Sequence, residues 1–144
     1  MLKKVIKYTN FNGEEREKTA YFNLTETEAF MLNIKNGGIL QEIVNGMVER
    51  QDANGIVDFF NTLIITSYGE KSDDGEDFIK GENYAKGKAF AQTAAYDRMF
   101  MDLLTDSTGE SQKAFILGII PSKMAEEAKA GTTPKFGMIG EDNK

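Results

Sequence analysis

Ile56-Val57-Asp58-Phe59-Phe60-Asn61-Thr62-Leu63-Ile64-Ile65-Thr66-Ser67-Tyr68 is the stretch on which the fold turns. Its β-branched residues would suit a strand, but its length and the Gly69 that follows favour a helix. At ~100° per residue, the neighbours Phe59/Phe60 and Ile64/Ile65 spread apolar surface beyond one helix face. A helix of this kind is either the centre of a domain or is covered by another chain. In the second case Phe59, Phe60, Ile64 and Tyr68, with Phe78 further along, are the expected partner-binding residues.

Immediately upstream, Ile39, Leu40, Ile43, Val44, Met47 and Val48 form one stripe opposite Gln41, Glu42, Asn45 and Glu49. This predicts an amphipathic helix whose stripe faces the core, or alternatively forms a groove or a self-association surface. Before it, Thr25-Glu26-Thr27-Glu28 is a capping box that opens a helix running to about Lys35, ended by Asn36-Gly37-Gly38. The N-terminus reads as a β-hairpin. Val5, Ile6 and Tyr8 form one strand, Asn12-Gly13 the turn, and Thr19 to Phe22 the return. A three-residue loop with a Gly13 bulge sets Lys7 across from Glu17 and Tyr8 across from Arg16.

Downstream, residues 69 to 82 are expected to be an irregular loop. Six acidic residues against Lys71 and Lys80 give it a net charge of −4. A long helix follows, from about Tyr84 or Lys88 to Leu104. Ser107-Thr108-Gly109-Glu110 then offers a second capping box, opening a short apolar helix from Ala114 to Ile120 that Pro121 stops. Met124 to Ala130 is one more short helix. The expected fold is mainly α with a small β element: an N-terminal hairpin (1–23) followed by about five helices (25–130) in one domain. A flexible polar tail (131–144) ends the chain, with Phe136 and Met138 as its only evident anchors.

Composition narrows the chemistry. With 40% hydrophobic and 28% charged residues the chain suits a soluble globular domain. It has no cysteine and no histidine, which removes disulfides, a thiolate nucleophile, the commonest general base and the commonest transition-metal ligand. A net charge of −6 argues against nucleic acid as a partner. Lys3, Lys4 and Lys7 precede no apolar signal core, and no apolar run approaches the ~20 residues of a membrane span, so a cytosolic protein is expected.

Each chemical motif fails on inspection. With Gly75 at the sixth position of a calcium loop, position 1 is Glu70 and position 12 is Gly81 where a bidentate Glu is needed. A solvated acidic loop is the simpler account. Gly81 and Gly87-Lys88 have five intervening residues instead of four, and Ala89 where a phosphate-binding loop needs Ser or Thr. Asp97, close to the apolar stripe of its helix, is expected to bond a helix N-terminus or to pair near Arg98, with no catalytic partner. No catalytic residue, cofactor site or metal site is expected.

Three blocks, taken in order, resemble a known family. The first is Tyr68-Gly69-Glu70-Lys71-Ser72 with Asp74-Gly75 and Phe78-Ile79-Lys80. The second is Phe90 with Thr93, Ala95-Tyr96-Asp97 and Phe100. The third is Phe115 with Gly118-Ile119-Ile120-Pro121. Following the hairpin and Phe22-Asn23-Leu24-Thr25, this set resembles the tail assembly chaperones of long-tailed phages and prophages of Gram-positive bacteria, over roughly residues 5 to 122.

The resemblance implies a non-catalytic protein that binds the phage tape measure protein and keeps it soluble until the tail tube forms. The tail tube protein and further copies of the chain are secondary candidate partners. It also implies residence in the cytoplasm of the infected or lysogenic host and absence from the mature virion. Many members have a longer frameshifted form, and this chain would be the short one. Ten Phe and seven Met suit adaptable binding, or simply a core. The competing expectation is a minor structural component of the tail or connector.

Overall fold

The computed structural model describes residues 1–36, 45–46 and 49–121. All six apolar residues of the Ile39–Val48 stripe, the Met124–Ala130 segment and the tail with Phe136 and Met138 lie outside them. The described residues contain five α-helices and an N-terminal antiparallel strand pair within one domain, and about half of them are helical.

The chain opens with strands β1 (Leu2–Thr9) and β2 (Glu15–Phe22). Their register places Lys7 opposite Glu17 and Tyr8 opposite Arg16, as the loop length requires. Gly13, at φ 80°, takes the left-handed turn position. Asn10 fixes the turn: its Oδ1 accepts from the N–H groups of Asn12 and Glu14, both at 2.9 Å. Helix α1 (Glu26–Asn36) starts at the expected capping box. The Glu28 N–H donates to Thr25 Oγ1 at 3.1 Å, and the Thr25 N–H donates to Glu28 Oε1 at 3.0 Å.

Helix α2 (Ala53–Ser67) is capped by Asp52, whose carboxylate accepts from the Gly55 N–H at 3.0 Å. It begins earlier than expected and stops one residue sooner. Tyr68 is extended and opens strand β3 (Tyr68–Lys71), so Gly69 is a strand residue and not a helix terminator. The expected acidic loop is in fact a second hairpin, closed by β4 (Phe78–Ile79). Its turn repeats the device of the first. Gly75 sits at φ 78°, and Asp74 Oδ1 accepts from Ser72 Oγ at 2.7 Å and from the Glu76 N–H at 3.0 Å. The result is a four-stranded antiparallel sheet in the order β1-β2-β3-β4.

The expected long helix is two. After a 3₁₀ turn (Glu82–Tyr84), α3 (Ala85–Phe90) and α4 (Ala94–Leu104) are separated at Thr93. Its hydroxyl donates to the Phe90 carbonyl at 2.7 Å and accepts from the Tyr96 N–H at 3.1 Å, ending one helix and starting the next. Helix α5 (Glu110–Ile119) ends where Pro121 predicts. The second capping box is not made. Gly109 takes the N-cap position, and Asp106 serves the helix start instead, accepting from the N–H groups of Thr108 (3.0 Å) and Ser111 (2.9 Å).

Phe22 is the hub of the core. It is fully buried, and its ring meets Tyr68, Phe90 and Phe115 edge-on at centroid distances of 5.7, 5.9 and 5.6 Å. α2 contributes Phe59, Phe60, Leu63 and Ile64 to the same core. α4 and α5 pack on β1, with Gly118 of α5 against Leu2.

Candidate partner-binding surface

The five residues expected to bind a partner are not together on the surface. Phe59, Phe60, Ile64 and Tyr68 are buried, and Phe78 is half-buried. α2 is therefore the central helix, the first of the two alternatives its sequence allowed. Phe78 alone of the five reaches solvent.

Among the described residues, large apolar groups reach solvent both on the hairpins, at Val5, Phe11 and Ile79, and on the helices, at Met31, Val57 and Met101. Along β1 the residues alternate: Leu2, Lys4, Ile6 and Tyr8 turn towards the helices, while Lys3, Val5, Lys7 and Thr9 are exposed. Residues paired across a sheet share a face. Val5 opposite Thr19, Lys3 opposite Tyr21, Tyr21 opposite Gly69, and Lys71 opposite Phe78 thus form one outer face. Val5 is 52% exposed there, and Tyr21 is half-buried. Gly69 makes the face continuous, because a Cβ at that position would lie 2.6 Å from the Phe78 ring. With glycine the ring can pack closely against the strand. Lys71 reaches over Tyr21, its Nζ 5.5 Å from the ring centroid. The outer face is therefore an apolar strip of Val5, Tyr21 and Phe78 edged by Lys3 and Lys71, with Lys7 set across from Glu17 at one end.

Sequence reasoning missed Val5 and Tyr21 as surface groups, although period-2 alternation on a hairpin with one covered face was the signal. It also missed Phe11, which is 83% exposed at the tip of the first hairpin.

A polar junction ties the second hairpin to α1. Lys80 Nζ donates to Glu28 Oε1 and to the Asn23 carbonyl, each at 2.7 Å, and the Tyr84 hydroxyl donates to Glu28 Oε2 at 3.2 Å. The Lys80 and Glu28 side chains are only 12% and 21% exposed. Burial pushes the Glu28 carboxyl up, but the Lys80 and Thr25 hydrogen bonds, the Lys80 charge and the Tyr84 hydroxyl outweigh it and hold the group below its ordinary value. Burial pulls the Lys80 ammonium down, only partly offset by Glu28. Burial and the Glu28 charge push the Tyr84 hydroxyl up.

This cluster has the composition of a site but uses its polar atoms on its own backbone and partners. Asn83 and Tyr84, at φ 55° and 62°, are left-handed where the chain turns around it. Asp97 is exposed in the first turn of α4, and Arg98 pairs with Asp102 at 2.7 Å, so neither of the Asp97 expectations is met. Gly81 and Gly87 do not cradle a ligand together: Gly81 is a left-handed turn residue and Gly87 packs against α2. Among the described residues no three carboxylates converge as a metal site, and no helix is long and apolar enough to cross a membrane.

The three blocks that carried the family resemblance supply Tyr68, Phe90 and Phe115, the aromatic rings that meet on Phe22. The resemblance therefore rests on core architecture. A family model described as phage tail assembly chaperone matches residues 1–142, and the chain belongs to that family. No curated protein and no solved structure matches it.

Proposed function

We propose that this chaperone binds the tape measure protein of a long-tailed phage or prophage of Gram-positive bacteria and keeps it soluble until the tail tube assembles. It acts in the host cytoplasm, without catalysis, and leaves before the virion matures. The observation that carries the contact surface is the outer sheet face: Val5, Tyr21 and Phe78 in a strip edged by Lys3 and Lys71. A holdase needs apolar surface that a partner can cover, and lysines beside it favour an amphipathic partner segment with acidic flanks. Phe59, Phe60, Ile64 and Tyr68 support that face from the core beneath it.

Co-expression of the chain with the tape measure protein of the same phage tests this. The tape measure protein should become soluble and co-purify. It should remain insoluble with an unrelated acidic protein of similar size. Mass spectrometry of purified virions separates the competing assignment. Absence fits the chaperone, whereas a fixed copy number in the particle would make the chain a structural tail component.

A further inference from the structure

Among the described residues, β1 is an edge of the sheet, with β2 on one side and no strand on the other. The direction of its backbone groups follows from the first turn. The Asn10 N–H donates to the Glu14 carbonyl at 2.8 Å, which makes these two a hydrogen-bonded pair. Bonded pairs recur at every second residue of an antiparallel ladder, so Tyr8, Ile6, Lys4 and Leu2 turn their N–H and C=O groups to β2. Lys3, Val5, Lys7 and Thr9 therefore point theirs away from the sheet, and among the described residues none of these groups has a partner. Beside this edge runs a groove of about 300 Å³, walled by Lys4 and Ile6 of β1, Met99 and Leu103 of α4, and Ser111 of α5.

We propose that the β1 edge takes an extended segment of a second protein as an added antiparallel strand, with carboxylates opposite Lys3 and Lys7 and a β-branched residue opposite Val5. A row of free N–H and C=O groups is met most fully by another strand. The side chains beside those groups select its chemistry. Lys3, Val5 and Lys7 share the exposed face of β1, so an added strand sets three of its own side chains directly across from them. Two ammonium groups flanking an isopropyl group favour a segment with carboxylates four residues apart and a β-branched residue midway. The alternate side chains of that segment lie on the groove side, where Met99 and Leu103 favour apolar groups. A second copy of β1 is a poor occupant. Centred on Val5 it sets Lys3 against Lys7 twice, and centred on Lys7 it sets that lysine against itself. The contact is made by backbone groups, and it holds whichever protein supplies the segment.

Fluorescence anisotropy and amide exchange on the full chain test this, with a synthetic peptide carrying Glu-Ile-Val-Thr-Glu as the probe. The peptide should bind saturably, and exchange at the Val5 and Lys7 N–H groups should slow at least ~10-fold on binding. The Lys4 and Ile6 N–H groups, already bonded to β2, should change little. N-methylation of the peptide's valine, whose N–H faces β1, should weaken binding at least ~10-fold. N-methylation of its isoleucine, whose N–H faces away, should have far less effect. Replacing both peptide glutamates by lysine should weaken binding by a factor similar to valine methylation. No binding at about 1 mM peptide overturns the proposal. So does binding that ignores which N–H is methylated, or that leaves the Val5 and Lys7 amides unprotected. Protection of those amides without peptide, growing with chain concentration, would assign the edge to a second copy and likewise overturn it. Each of these outcomes leaves the tape measure solubility test standing, so the two readings fail separately.

Discussion

A methyl group on Gly87 would lie 1.9 Å from the backbone carbonyl oxygen of Ile65. α2 and α3 approach so closely that position 87 has room for hydrogen alone. In an isolated helix, Gly→Ala would gain about 1 kcal/mol. Here the overlap is with backbone, which no rotamer change relieves, and overpacking of this kind costs about 1–3 kcal/mol. Gly87→Ala should therefore lower stability in urea titration, reversing the usual sign. An unchanged or raised midpoint would mean that the two helices separate without loss.

Phe60 answers the question posed by the apolar helix. It is fully buried, so Phe60→Glu places a carboxylate in the core without a partner, at a cost of several kcal/mol. Total stability is only about 5–15 kcal/mol, and the variant should be largely unfolded by circular dichroism. Val57→Glu, on the exposed side of the same helix, should stay within about 0.5 kcal/mol of wild type. A folded Phe60→Glu protein with an ordinary melting midpoint would show that this face is not core.

The Glu28–Lys80 junction sets an acid limit. The Glu28 carboxyl is held below its unfolded value of about 4.3, so the folded state favours the ionised form. Its stabilisation is full above the unfolded value and is lost as pH falls through the folded one. Asp106 acts in the same direction, held well below the carboxylate range by hydrogen bonds from Ser111 and Thr108. The melting midpoint should fall as the solution is acidified below about pH 4, and Glu28→Gln should flatten that slope. Lys80→Met, which strips the charged partner from Glu28, should cost about 2–3 kcal/mol at neutral pH. An identical acid slope in wild type and Glu28→Gln would remove Glu28 from the account.

Where the sequence was legible, the signal was local and had one physical meaning. Asn12-Gly13 named the first turn, and the loop length then gave the register that pairs Lys7 with Glu17. Thr25 and Glu28 named a helix start because each satisfies an N–H group of the other's residue. The same kind of signal was present at Asp74-Gly75, but the surrounding charge suggested a solvated loop and hid a hairpin. Thr93 was hidden differently. Apolar residues keep helical spacing on both sides of it, so periodicity runs through a break made by one hydroxyl. At Ser107 the capping pattern lost to Asp106, whose carboxylate reaches two N–H groups of the same turn. The candidate surface was the least legible part. Whether Tyr21 or Phe60 faces solvent depends on which side of the sheet the helices cover, and no local pattern states that.

The outer sheet face yields the prediction that bears most directly on function. Tyr21 pairs with Lys3 and Gly69 and lies beneath Lys71, on the strip with Val5 and Phe78. Tyr21→Glu keeps the strand and its ladder but sets a carboxylate in the middle of the strip. Substitution on a half-exposed strand position should cost about 1 kcal/mol or less, leaving the chain folded at 25 °C. The proposed capacity to keep the tape measure protein soluble should nonetheless be lost, and Val5→Glu should act in the same way. Reversing the rim charges with Lys3→Glu and Lys71→Glu should slow association and weaken its salt dependence, because exposed charges act mainly on encounter. Phe11→Ser, at the exposed hairpin tip, should retain tape measure binding, which confines the contact to the strip. The measurement is the soluble fraction of co-expressed tape measure protein for each variant. A folded Tyr21→Glu protein that solubilises it as well as the wild type would place the contact elsewhere on the molecule.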